Sequence, residues 1–205
     1  MAATIRIHEV QVGDGLLARG TAATGVENTA WANKTTGTIR FKSAGGAADD
    51  LSVNANNPIA IPAAGVNRSF TKCLVFYMEA DDGNSMSNTR FYTDGTNGWT
   101  GVSLYAGRRV PTWAAAPGVA GTLATTYLGP VGTDSAVATV NAFTYTAAAP
   151  LDLSVAGGGG EAGPWDVAYD NMHFGDLLYL QMDVGTTASA GTLAGETLTF
   201  SYDEV

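Results

Sequence analysis

The 205-residue chain is 45% apolar, enough for a continuous core, yet only 14% charged, well below the roughly 25% of an average soluble domain. Nineteen acidic residues against ten basic ones give a net charge of -9, and Arg108-Arg109 is the one adjacent basic pair. Nucleic-acid binders concentrate Lys and Arg to release phosphate counterions, so this composition argues against nucleic acid and against an anionic membrane surface.

The lone cysteine, Cys73, excludes an internal disulfide framework. It lies in the apolar run Cys73-Leu74-Val75-Phe76-Tyr77, where a free thiol behaves as a small core hydrophobe. The first residues lack an apolar signal core, and no apolar stretch approaches about 18 residues. The expectation is synthesis in a cytoplasm without a Sec-type export signal.

In chain order, residues 4–12 alternate with period two and place Ile5 and Ile7 on one face. Residues 13–36 form a long irregular stretch that would hold an extended N-terminal arm. Residues 37–43 read as a strand, Ile39 and Phe41 opposing Arg40 and Lys42. Asn56-Asn57-Pro58 and Ile61-Pro62 break any ladder there. Residues 69–80 put Phe70, Leu74, Phe76 and Met78 on one face and Cys73, Val75 and Tyr77 on the other. Being apolar on both sides, that strand belongs in the middle of a sheet.

Further strands are expected at 89–93, 102–106, 123–128, 137–145, 151–155, 177–184 and 197–202. In 177–184, Leu178, Leu180, Met182 and Val184 face one way, and Leu177, Tyr179, Gln181 and Asp183 the other. Asp94-Gly95 and Asn97-Gly98 favour the positive φ angles of tight turns. Helical signals are poor almost everywhere, and no long stretch repeats apolar residues at helical spacing. Roughly nine or ten short strands between turn clusters predict an all-β fold. Its expected form is one antiparallel β-sandwich domain over residues 1–205, a jelly roll being one such arrangement, with long irregular loops.

Chemical motifs are sparse. His8 and His173 are the only imidazoles and lie far apart in sequence, so neither a zinc site nor a Ser-His-Asp triad is indicated. No Gly-x-Ser-x-Gly elbow occurs, and residues 157–160, four glycines, lack the Lys-Ser/Thr of a phosphate loop. Calcium takes loop carboxylates and carbonyls. The weak candidates are Asp81, Asp82 and Asn84 in one turn and Asp166, Asp170 and Asp176 in another. Neither follows the twelve-residue calcium-loop pattern. Trp31, Trp99, Trp113 and Trp165 fall in or beside loops, as candidate subunit-interface anchors, as plugs of the sandwich ends, or as stacking platforms of a carbohydrate-binding module. The expectation is a chain that is not an enzyme and uses no cofactor.

Two stretches carry a resemblance. One is Asn88-Thr89-Arg90-Phe91-Tyr92-Thr93-Asp94-Gly95, followed by Trp99-Thr100-Gly101-Val102. The other runs from Asp176-Leu177-Leu178-Tyr179-Leu180-Gln181-Met182-Asp183-Val184, through Ala188 and Gly191, to Glu196-Thr197-Leu198-Thr199-Phe200-Ser201-Tyr202-Asp203-Glu204. They resemble a group of small β-rich structural proteins of tailed-bacteriophage and prophage virions. The resemblance implies a capsid decoration or cement protein, or another virion part such as a tail or fibre-base component. It also implies the major capsid protein or other virion proteins as partners, a homo-oligomer (a trimer by symmetry of the shell), and location in the virion. It carries over no functional residue.

Overall fold

The computed structural model describes residues 3–10, 31–41, 58–69, 72–80, 83–109, 140–154, 163–165 and 170–205. Through them run the strands β1 (Thr4–Val10), β2 (Trp31–Asn33), β3 (Val66–Arg68), β4 (Lys72–Ala80), β5 (Met86–Tyr92), β6 (Val102–Arg109), β7 (Val140–Asn141), β8 (Leu151–Asp152), β9 (Met172–Gly185) and β10 (Thr199–Glu204). One 3₁₀ turn, Ala142–Thr144, interrupts them. The protein is all-β, and every strand pairing among the described residues is antiparallel.

The strands form two sheets. The larger has seven strands in the order β2-β1-β4-β9-β6-β7, with β3 on β9; the smaller has the order β10-β5-β8. Hydrophobic pattern decides who sits in the middle. β4 is buried continuously from Lys72 to Met78, and β9 from His173 to Val184. Leu74, Phe76, Met78, Leu178, Leu180, Met182 and Val184 form one core with Phe91, Trp165 and Phe174. Each such side chain contributes roughly 1.5–3 kcal/mol when removed from water. Phe200 and Tyr202 of β10 pack edge-on against Phe76, with ring centroids at 5.6 and 6.5 Å. Those contacts join the small sheet to the large one. Cys73, Val75 and Tyr77 are buried on the opposite face of β4.

Glycines shape two tight places. β9 slips register against β4 between Leu74 and Phe76, and Gly175 sits at that irregularity with φ +74°. The slip lets the Asp176 amide donate to the Leu153 carbonyl at 2.6 Å, tying β9 to the end of β8. Before β6, Gly101 has φ +69°, and a Cβ built there would lie 2.3 Å from the Ala188 amide nitrogen.

Some elements depart from the sequence expectation. Ile39 and Phe41 do pack against the core, but residues 37–41 join no ladder among the described residues. Residues 142–144 turn as 3₁₀ instead of continuing a strand, because the Asn141 carboxamide oxygen accepts from the Phe143 amide at 3.0 Å and caps the turn. β2 and β3, at three residues each, are too short to show alternation. The strand expected at 123–128 and residues 13–30 of the expected arm lie outside the described residues; residues 31–33 of that arm form β2 against β1.

Gly101→Ala should strain a left-handed backbone and drive Cβ into a neighbouring main chain. Its unfolding free energy should fall by roughly 3 kcal/mol, read from urea unfolding. An unchanged midpoint would contradict the close approach.

Candidate functional site

Polar groups that strand alternation sends into the interior gather in clusters, three of them built on His8, Glu9 and Asp176. The first spans β1, β4 and β9 on the face turned away from the small sheet. Antiparallel register places His8 opposite Val75, and Tyr77 opposite both Arg6 and His173. His8 Nδ1 and His173 Nε2 come within 3.0 Å, although 165 residues separate them. The His8 ring stacks on Tyr77 at 4.2 Å with planes 17° apart, and the Tyr77 hydroxyl donates to Asn171 Oδ1 at 3.4 Å. Burial, helped by the Arg6 charge, lowers the His8 pKa to about 4. Burial, helped by His8, lowers that of His173 to about 3. Both rings are therefore neutral near pH 7, one donating to the other. At 1% and 5% exposure they are closed to a substrate, and the arrangement acts as a cross-strand tie.

The second cluster lies at the end of the core face. Glu9 shares the parity of Ile5 and Ile7, and Lys72 that of Leu74 and Phe76, so alternation points both inward. Lys72 Nζ donates to Glu9 Oε1 at 2.5 Å, both side chains almost fully buried. Lys34 Nζ stands 3.8 Å from Glu9 Oε2. In the third cluster, Arg108 Nη1 of β6 donates to buried Asp176 Oδ2 of β9 at 3.0 Å.

The residues singled out in the sequence scatter. Asn84 donates its Nδ2 to Glu204 Oε1 at 2.9 Å. Asp170 is exposed in the turn before β9, whereas Asp176 is buried within it against a guanidinium, which occupies the carboxylate that calcium would need. Asp81, Asp82 and Asp166 lie outside the described residues. Among the described residues, no group of three or more His, Cys, Asp or Glu side chains could hold a metal ion.

Trp165, expected in or beside a loop, is 1% exposed. Its backbone bridges Met86 and its ring packs on Phe174 at 5.1 Å, so it plugs the sandwich interior and cannot serve as an interface anchor or a sugar platform. Trp99 is half-buried; its indole N–H donates to the Ala194 carbonyl at 2.7 Å, and the ring stands edge-on to Phe143. The main chain of Trp31 lies in β2, and Trp113 is outside the described residues.

Among the described residues the small sheet has no strand beyond β10, while the large one continues. The gap is a cavity of about 1130 Å³. Ile5, Ile7, Val102, Leu104, Met182 and Val184 of the large sheet line it, together with residues 38–41, 58–61 and 188–196, Phe200 and Tyr202. Lys34, Arg40 and Glu196 are the charged groups around it. No sequence motif announces this cavity, because it arises from the unequal width of two layers.

No protein-family model matches the chain, and no curated protein or solved structure shows detectable similarity to it.

Two predictions come from these clusters. Lys72→Met leaves the buried Glu9 carboxylate without its nearest cation and should cost about 3 kcal/mol in urea unfolding, whereas Glu9→Leu with Lys72→Met should recover most of that loss. A double variant as unstable as the single one would show that the ion pair is not the cause. For the imidazoles, each binds its proton more weakly in the folded chain than at its ordinary value near 6.5. The unfolded chain therefore takes up protons first on acidification. The pair's contribution is complete above about pH 6.5 and is lost as pH falls toward the folded values of about 4 and about 3. At pH 5 each ring should contribute about 2 kcal/mol less than at pH 7. Denaturant midpoints at the two pH values, compared with a His8→Phe/His173→Phe double variant, check this; equal pH dependence in both proteins would contradict it.

Proposed function

We propose that this chain is a structural subunit of a larger assembly, and specifically an accessory protein of a bacteriophage virion that decorates and cements the capsid. The observation that carries the assembly reading is the mismatch between the layers: among the described residues seven strands stand against three. Part of the apolar inner face, including Ile5, Ile7 and Val102, lines a cavity that residues 38–41, 58–61 and 188–196 share. A domain normally fills such a gap with its own elements, and an apolar cavity at the edge of the packed layers offers a partner a place to seat. The polar side chains that might have served chemistry are engaged inside: His8 with His173, Lys72 with Glu9 and Arg108 with Asp176.

Sparse charge and a net negative balance suit broad subunit contacts on the outside of a particle and not the genome-facing side. The virion assignment itself draws on the resemblance of residues 88–102 and 176–204 to phage structural proteins. In this reading each copy clamps several neighbours, and many modest contacts add through effective concentration. The partners are the major capsid protein and further copies of the chain, arranged as trimers at local three-fold positions.

Particles prepared with and without this protein should differ under heat or osmotic shock, those with it retaining their contents longer. Equal survival, or absence of the chain from purified particles, would overturn the decoration role.

A further inference from the structure

Asn97-Gly98 is the one Asn-Gly step in the chain. An asparagine before glycine carries a latent reaction. The following amide nitrogen can attack the side-chain carbonyl carbon, and no Cβ stands in its way. In an unstructured chain two things hold this back: the nitrogen keeps its proton, and the oxyanion formed on attack has no fixed donor. The turn between β5 and β6 supplies a group for each.

Asn97 and Gly98 are both exposed to water. The Gly98 amide donates to Glu196 Oε1 at 2.8 Å, across 98 positions of sequence. A Cβ built on residue 98 would lie 2.6 Å from that same oxygen, so glycine is what admits the carboxylate. An amide N–H lies in the plane of its peptide group, so a base bound there leaves both faces of the nitrogen open. The Trp99 amide donates to Asn97 Oδ1 at 3.0 Å, where negative charge would develop. Asn97 Nδ2 donates to the Val102 carbonyl at 2.9 Å, which fixes the orientation of the carboxamide. Nucleophile, base, oxyanion donor and leaving group therefore meet in one turn.

We propose that Asn97-Gly98 is a self-modifying site, at which the fold drives ring closure to a succinimide with loss of ammonia. Glu196 takes the Gly98 amide proton as that nitrogen bonds to Asn97 Cγ, and the displaced electron pair rests on Oδ1 against the Trp99 N–H. When the carbonyl re-forms, the Cγ–Nδ2 bond breaks. Glu196 returns its proton to the departing nitrogen, and ammonia leaves to solvent. Water then opens the ring at either carbonyl, giving an aspartate or an isoaspartate. The product places a further negative charge beside Glu196 and, as isoaspartate, one more main-chain carbon ahead of Trp99. Trp99 lines the cavity and is held there by Ala194 and Phe143, so conversion would loosen the cavity wall as a molecule ages. The site stands independently of the assembly reading.

The test is incubation of the full chain at neutral pH, with tryptic peptide 91–108 sampled by mass spectrometry. Asn97 is the one carboxamide side chain in that peptide, so loss of ammonia, then the net mass gain of amide to acid, reports this site alone. The folded chain should convert at least about tenfold faster than the same chain unfolded in guanidinium chloride. Glu196→Gln, which keeps an accepting oxygen but not the base, should slow the folded chain at least about tenfold. A folded rate equal to or below the unfolded one would overturn the proposal, since the turn would then only pin its asparagine. Equal folded rates with and without Glu196→Gln would overturn it too, by removing the base.

Discussion

Everything in this fold answers to the burial of β4 and β9 on both faces. A strand with one wet face can turn its polar side chains to solvent; these two cannot. Each polar group on them must find a partner inside the sheet or lose its hydration uncompensated. Lys72 meets Glu9, Asp176 meets Arg108, and His173 meets His8. Gln181 follows the same logic, its Nε2 donating to the Ser69 carbonyl at 2.8 Å, while Ser69 Oγ accepts from the Met182 amide at 3.0 Å. The partners come from three different segments, so the requirement to satisfy the two central strands also fixes what lies beside them.

The clusters also discriminate between alignments. Moving β1 by one residue against β4 would turn Ile5 and Ile7 out of the core and carry His8 into it, while separating Glu9 from Lys72. A purely aliphatic pair of faces would penalise such a slip less. Whether or not each buried pair adds net stability, the set makes one register far better than its neighbours.

Much of the strand framework was legible in the sequence. Leu178, Leu180, Met182 and Val184 all reach the core, as their alternation implies, and the two-sided apolar run around Leu74 and Val75 does lie between two neighbours. What escaped depends on non-local geometry. The imidazoles each lie in a strand, but nothing local says that β4 would stand between those strands and bring the rings within hydrogen-bond reach. Residues 37–41 have strand chemistry but join no ladder among the described residues, for a ladder needs a neighbour as well as a pattern. Trp165 looked like a loop residue because its chain is irregular, although its ring is among the most buried. Near Phe143, one carboxamide cap outweighed β-propensity. The cavity left no trace in the sequence, because layer width follows from how many strands pair, a property of the whole topology.

The distances along the chain between partners carry a kinetic consequence. Lys72 pairs with Leu180 and Phe91 with Phe200, so every central contact closes a very long loop. Topologies dominated by such remote contacts fold in milliseconds to seconds, not microseconds. A nascent polypeptide of this kind emerges with β4 already made and both of its greasy sides waiting for a strand still to be synthesised. During that interval it is prone to stick to other chains. Its yield in a crowded cell therefore rests on whatever shields that first half until the second arrives.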